Sequence, residues 1–198
     1  MSTVFFLPGT GASPDFWKPV GSRLPADWTK HFFGWPGLGA QPPDRAINSY
    51  DDLVRLVEGR LEGRVDLVAQ SIGGMIAVRL ALAHPTKVRR LVLTATSGGV
   101  DVAAFGGADW RPDYRRLHPE APAWILERGV AAPLPVERIG CPILLIWADA
   151  DPISPLAVGQ HLLARMPNAR LQVIASDSHM FANTRADEVS RLIAGHLA

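Results

Sequence analysis

Three residue types that can pass one proton between them lie far apart in the 198-residue chain: Ser71, a carboxylate at Asp149 or Asp151, and His179. A serine hydroxyl is a weak nucleophile until a neutral imidazole takes its proton. The imidazole in turn needs a carboxylate to fix its tautomer and stabilise its charged form. Ser71 stands in Val68-Ala69-Gln70-Ser71-Ile72-Gly73-Gly74, an apolar run leading to a serine with Ala two residues before it and Gly two residues after. A sharp strand-to-helix turn strains its central residue and brings other backbone close to those two positions, so small residues are required there. Taken alone, the same serine also reads as a helix N-cap. Asp149 and Asp151 follow the apolar run Ile143–Trp147, and each alone reads equally as a turn or helix cap. His179 sits in Ser176-Asp177-Ser178-His179-Met180-Phe181, with Asp177 as a nearby competing carboxylate. By itself a loop histidine is ordinarily a surface residue.

A fourth element is the turn Leu7-Pro8-Gly9-Thr10-Gly11-Ala12. Attack on a carbonyl creates an oxyanion that needs two backbone N–H donors. The residue after the nucleophile, Ile72, can give one, and this glycine-rich turn can give the other. A phosphate cradle is the competing use of such a turn. However, Pro14 occupies the third glycine position of a dinucleotide fingerprint, and no Lys-Ser/Thr pair follows for a P-loop.

These residues need a frame that brings them together. Short, β-branched or aromatic runs predict strands at Val4–Leu7, Thr29–Phe33, Val65–Val68, Arg90–Thr94, Ile143–Trp147 and Leu171–Ile174. Most are continuous rather than alternating, the pattern of parallel strands covered on both faces. Helical spacing recurs between them: Leu53, Val54, Val57 and Leu61 form one stripe, and Val189, Leu192, Ile193 and Leu197 another. The segment Ile72–Ala83 is apolar nearly all round apart from Arg79, so it reads as a central helix that stops ahead of Pro85. Strand and helix alternate throughout. The expectation is a single α/β domain over residues 1–198, with a doubly wound, mostly parallel sheet of about six strands and flanking helices. Ser71, the carboxylates and His179 then each fall at the carboxyl end of a strand, where open α/β sheets bind ligands. One connection is too long for a plain crossover: 48 residues separate Thr94 from Ile143. It reads as a short helical lid over residues 98–138.

Composition narrows the alternatives. Twenty Lys+Arg against 19 Asp+Glu leave a formal charge of +1, which speaks against a nucleic-acid surface. A lone cysteine, Cys141, excludes an internal disulfide framework and a CxxC zinc site. His31, His84, His118, His161 and His196 show no metal-ligand spacing, and neither a metal nor an organic cofactor is expected. The amino-terminal residues lack a basic region, and no apolar run approaches the roughly 18 residues of a membrane span. A soluble cytoplasmic protein is expected; oligomeric state is not legible.

With Ser71, Asp151 and His179 in that chain order, the sequence resembles the α/β-hydrolase fold superfamily, in its lid-bearing esterase, thioesterase and acyl-hydrolase branch. The resemblance covers nearly the whole chain. LPGTGASPDFW is similar to the oxyanion turn with its downstream Trp17, and GWPGLGAQPP to the loop after the next strand. VDLVAQSIGGMIAVRLALAHPTKVRRLVL resembles the elbow, helix and following strand, and CPILLIWADADPISP the acid-bearing strand. It implies Ser71 as nucleophile, His179 as general base and acid, Asp151 rather than Asp149 as the orienting carboxylate, and the N–H groups of Thr10 and Ile72 as oxyanion donors. Ala69 departs from the family's usual glycine, Pro8 from its common histidine, and the larger members' amino-terminal hairpin is absent. A minimal, open-sited member is implied.

The expected activity is cleavage of a small or medium acyl ester or thioester through an acyl-enzyme on Ser71, with a small-molecule acyl substrate as partner. The same three residues can also run a cofactor-free lyase or C–C bond hydrolase, and the fold can serve as a non-catalytic binding module. Trp17, Phe105, Trp110, Tyr114 and Trp124 are candidates to line an apolar acyl pocket. The lid aromatics read equally well as pins that hold the lid to the body. Acidic neighbours offset the lid arginines, including Arg128, so no anionic specificity is inferred.

Overall fold

The structure is a computed structural model that describes residues 2–11, 13–127 and 133–198. Its strands are β1 (Thr3–Leu7), β2 (Thr29–Phe32), β3 (Val65–Gln70), β4 (Val88–Thr94), β5 (Ile143–Ala148) and β6 (Ala169–Ile174). Its helices are α1 (Lys18–Gly21), α2 (Tyr50–Glu58), α3 (Ile72–Ala83), α4 (Arg111–Leu117), α5 (Ala123–Leu126), α6 (Leu156–Arg165), α7 (Phe181–Thr184) and α8 (Ala186–Leu197). The strands form one sheet in the order β2-β1-β3-β4-β5-β6, and every adjacent pair is parallel.

This is the doubly wound α/β sheet that the apolar runs predict, with shifted strand ends. β3 continues two residues past Val68 because Ala69 and Gln70 go on pairing with Leu93 and Thr94. The strand therefore runs straight into Ser71. β4 starts two residues early, at Val88, which pairs with Val65. The edge strands differ in kind from the central ones. β2 and most of β6 leave side chains in solvent, whereas β3 and β5 are buried along their whole length.

Alternate strand residues feed two cores. Phe5, Leu7, Leu67, Leu93 and Leu145 pack with Leu53 of α2, Ile76 and Leu80 of α3, and Leu162 of α6. Val4, Phe6, Val68, Leu144 and Ile146 face the other way, onto Val20 of α1, Phe181 of α7 and Val189 and Ile193 of α8. Helix α3 lies in the first core, and its one charge escapes by pairing with α2, Arg79 to Asp51 at 2.6 Å. Ser49 caps α2, accepting from the Asp52 amide at 3.2 Å while Asp52 accepts from Asn48 N, a reciprocal cap.

The chain leaves β1 toward β2 and returns to β3 on the other side of β1. The carboxyl ends of β1 and β3 therefore flank the topological switch point, where open α/β sheets bind ligands. The segment read as a lid holds a 3-10 turn at Val102–Phe105, helices α4 and α5, and a second 3-10 turn at Val136–Arg138. Tyr114, Ile125 and Val136 anchor it in the first core. Arg128 lies outside the described residues.

Candidate active site

The turn from β3 into α3 puts Ser71 at φ 53°, ψ −120°. An L-residue with a side chain rarely takes such a backbone, and it persists only where the surroundings enforce it. Here they do. The Ser71 amide donates to the Thr94 carbonyl at 3.1 Å, and its carbonyl accepts from Gly74 N at 3.0 Å and Thr96 Oγ1 at 2.7 Å. The two glycines after the serine are demanded by crowding. A Cβ on Gly73 would lie 2.3 Å from the Leu7 carbonyl oxygen, and one on Gly74 would lie 2.5 Å from Thr96 Cβ. Gly73→Ala must push backbone against backbone. It is expected to cost about 1–3 kcal/mol or more, a fall of roughly 2–12 °C in Tm. Gly195→Ala on α8, where an added Cβ meets open space, should hold or raise Tm in the same thermal melts. Equal midpoints for the two variants would mean that the elbow is not tightly held.

Asp151 is 3% exposed, and both its carboxylate oxygens are used. Oδ1 accepts from the amides of Ile153 and Ser154 at 2.8 and 3.1 Å, and Oδ2 meets His179 Nδ1 at 2.8 Å. A carboxylate can only accept, so the ring proton belongs on Nδ1 and Nε2 is left as an acceptor. Asp149 is exposed and accepts from Ser176 N at 2.8 Å, tying the two strand ends together rather than touching the imidazole. Asp177 is exposed. Ser71 Oγ forms no hydrogen bond among the described residues, with His179 or otherwise. The two loops are joined instead by Gln70, whose Nε2 donates to the His179 carbonyl at 3.3 Å.

The turn after β1 lies directly against the elbow, since a Cβ on Gly9 would come within 3.3 Å of Ser71 Cβ. Three aromatic donors hold its carbonyls. Trp17 Nε1 bonds Leu7 O at 3.1 Å, Trp35 Nε1 bonds Pro8 O at 2.9 Å, and Tyr114 Oη donates to Thr10 O at 3.4 Å while accepting from Gly39 N at 2.9 Å. The amides of Thr10 and Ile72 have no protein acceptor among the described residues. Burial holds the Tyr114 phenol above its ordinary pKa, so it stays a donor.

The pocket expectation needs correction at Trp17. It is fully buried in the second core beside Phe6 and Phe16, and it holds the turn from beneath rather than facing a ligand. Phe105 packs on His161 of α6 at 5.0 Å between ring centroids, pinning its segment to the body. Trp110 meets Tyr114 at 5.5 Å, and Trp124 meets Tyr50 at 5.5 Å. Sequence reasoning missed two residues that shape the site, Trp35 and Gln70. Gln70 carried a signal, being a polar residue that follows the apolar run Leu67-Val68-Ala69 at the end of β3; Trp35 lies in the GWPGLGAQPP segment, and nothing in that segment gave its indole a partner. Burial pushes the Cys141 thiol up to about 11, so it offers no thiolate at neutral pH. Among the described residues no cluster of His, Cys, Asp and Glu could hold a metal ion, and no helix is long and apolar enough to cross a membrane.

A parallel sheet that carries a strained serine between strand and helix, with a carboxylate-held histidine on the same edge, is the layout of a nucleophilic hydrolase. The alpha/beta hydrolase family model matches residues 4–192, and the chain belongs to that family. A pimeloyl-(acyl-carrier protein) methyl ester esterase of Neisseria meningitidis serogroup B is 28% identical, over 89% of this chain and 85% of its own. The poly(3-hydroxyalkanoate) depolymerase of Ectopseudomonas oleovorans is 26% identical over 98% of this chain and 83% of its own. The crystal structure of the enol-lactonase from Burkholderia xenovorans superposes with a TM-score of 0.79 at 19% identity, covering 99% of this chain and 91% of that one.

Proposed function

We propose that the protein hydrolyses small or medium acyl esters or thioesters through an acyl-enzyme on Ser71. It is an ester-cleaving hydrolase, as the names of its curated relatives indicate; the nucleophile, the acyl range and the intermediate are the parts proposed. His179 Nε2 takes the Ser71 proton as Oγ adds to the ester carbonyl carbon. Asp151 holds the ring in the required tautomer and stabilises the imidazolium that forms. The oxygen that gains charge sits between the N–H groups of Thr10 and Ile72, which need no reorganisation to receive it. His179 then returns its proton to the departing alcohol or thiol, and a water repeats the sequence on the acyl-serine.

The observation that carries this reading is the Gln70 bond to the His179 carbonyl. It ties the loop bearing a carboxylate-oriented imidazole to the residue immediately before the hydroxyl. The Ser71–His179 hydrogen bond is then the contact that closes on substrate binding, as catalytic hydrogen bonds commonly do. A fluorophosphonate probe, which phosphonylates an activated serine, tests the assignment. Peptide mapping by mass spectrometry should find the adduct on Ser71. An adduct on another serine, or none in a folded, ester-cleaving sample, would overturn it.

A further inference from the structure

One hydroxyl joins three segments at the rim of the sheet. Tyr114 of α4 is 7% exposed; its Oη accepts from Gly39 N, in the loop after β2, at 2.9 Å. It donates to the Thr10 carbonyl, in the turn after β1, at 3.4 Å. Those two loops also press on each other. A Cβ on Gly39, whose φ is +56°, would lie 3.2 Å from the Gly11 carbonyl oxygen, and one on Gly11 would lie 3.5 Å from Tyr114 Cε2. The phenol ring is covered by its own segment, with Trp110 edge-on at 5.5 Å and His118 at 4.6 Å between centroids. With one lone pair taken by Gly39, the hydroxyl proton has the Thr10 carbonyl as its one acceptor among the described residues.

That carbonyl belongs to the residue whose amide is proposed as an oxyanion donor. Thr10 stands between Gly9 and Gly11, and glycine on both sides leaves the peptides there free to turn. Two side chains bracket the Gly9–Thr10 peptide instead. Trp35 holds the Pro8 carbonyl at 2.9 Å, and Tyr114 holds the Thr10 carbonyl. A donor serves a developing oxyanion only when it is already in place as the charge appears.

Resting on the Ser71 reading, we propose that Tyr114 is a positioning residue for the oxyanion turn. Its hydroxyl, clasped by Gly39, holds the backbone of Thr10 so that the Thr10 N–H meets the oxygen that gains charge. The segment between β4 and β5 then acts on the barrier, through Tyr114, and not only on substrate binding. Losing a whole oxyanion donor costs about 10²–10³-fold in kcat, and loosening one should cost about tenfold.

The test compares wild type with Tyr114→Phe on p-nitrophenyl butyrate, with kcat counted per site titrated by a fluorophosphonate so that unfolded molecules drop out. Two ketones of matched chain length, a trifluoromethyl and a methyl ketone, serve as inhibitors. Ser71 Oγ adds to the carbonyl carbon of the first, its proton passes to His179 Nε2, and the ketone oxygen becomes the oxyanion with no group leaving. The methyl ketone binds without adding. In Tyr114→Phe kcat should fall about tenfold while KM stays within about twofold. The trifluoromethyl ketone should lose the same factor in affinity and the methyl ketone none. An unchanged kcat overturns the positioning role and leaves ester hydrolysis standing. So does a rise in KM and in the methyl ketone constant at unchanged kcat, which would make Tyr114 a pocket wall. If Tyr114→Phe does not fold, 3-fluorotyrosine in the otherwise wild-type chain decides. The chain has two tyrosines, Tyr50 and Tyr114, and Tyr50→Phe tells their fluorine signals apart. The Tyr114 signal should shift when the trifluoromethyl ketone adds and hold still with the methyl ketone; no shift with either overturns the role. A wild type that cleaves no ester and takes up neither probe overturns it together with the acyl-ester reading beneath.

Discussion

Replacing Ser71 by alanine should lower kcat on a short p-nitrophenyl ester by roughly 10⁴-fold or more, the scale set by removing a nucleophile that acts as a unit with its base. Each tenfold step is about 1.4 kcal/mol of barrier, so the loss corresponds to more than about 5 kcal/mol. The fold should not share in it. The strain at φ 53° belongs to the backbone and the Cβ, which alanine keeps, and the hydroxyl makes no hydrogen bond among the described residues that folding would lose. The Tm of Ser71→Ala should therefore match the wild type, and circular dichroism should superpose. Weak turnover above the uncatalysed rate should persist, because the Thr10 and Ile72 amides still receive charge on a carbonyl attacked by water. A variant that keeps a tenth or more of wild-type kcat with an unchanged melt would remove Ser71 from the chemistry.

Much of this arrangement was legible in the sequence because it depends on local rules. Ala69 and Gly73 around Ser71 announce the elbow, and the structure supplies the reason at Gly73 and extends it to Gly74: the Leu7 carbonyl and Thr96 occupy the space that larger side chains would need there. The six strands were legible from apolar runs, and their ends were not, because pairing with a neighbour, as Gln70 with Thr94, decides where a strand stops. The choice between Asp149 and Asp151 was open to the residues alone. Two carboxylates two positions apart differ only in what the next loop presents, an amide of Ser176 to one and the imidazole to the other. The turn after β1 shows the limit most clearly. From the sequence, Trp17 is a candidate pocket wall, an aromatic just downstream of the oxyanion turn. Its indole instead holds Leu7 from within the second core, and Trp35, past the end of β2 and in the first core, holds Pro8 from the other face. Such contacts span 10 and 27 residues, and no periodicity along the chain records them.

The second large effect belongs to the carboxylate, and it separates orientation from charge. In Asp151→Asn the carbonyl oxygen can keep the bonds from the Ile153 and Ser154 amides, so the turn after β5 should hold. The amide nitrogen then replaces Oδ2 opposite His179 Nδ1. It can only donate, so the imidazole must move its proton to Nε2, and it can no longer accept from Ser71. A wrong tautomer of this kind costs about 10⁴-fold in kcat where it has been isolated in another fold, and a loss of that order is expected here. KM should move far less, because the carboxylate touches the imidazole and not the substrate. Asp149→Asn provides the matched control. Its Oδ1 bond from Ser176 N survives in the amide, it lies outside the relay, and kcat should fall by less than about threefold, the scale of a surface change. The reverse ranking, with Asp149→Asn crippled and Asp151→Asn near wild type, would show that the imidazole takes its orientation from a different acid during turnover. Equal, small losses in both would mean that His179 needs no carboxylate at all, and the proton relay drawn from the 2.8 Å contact would then describe packing rather than catalysis.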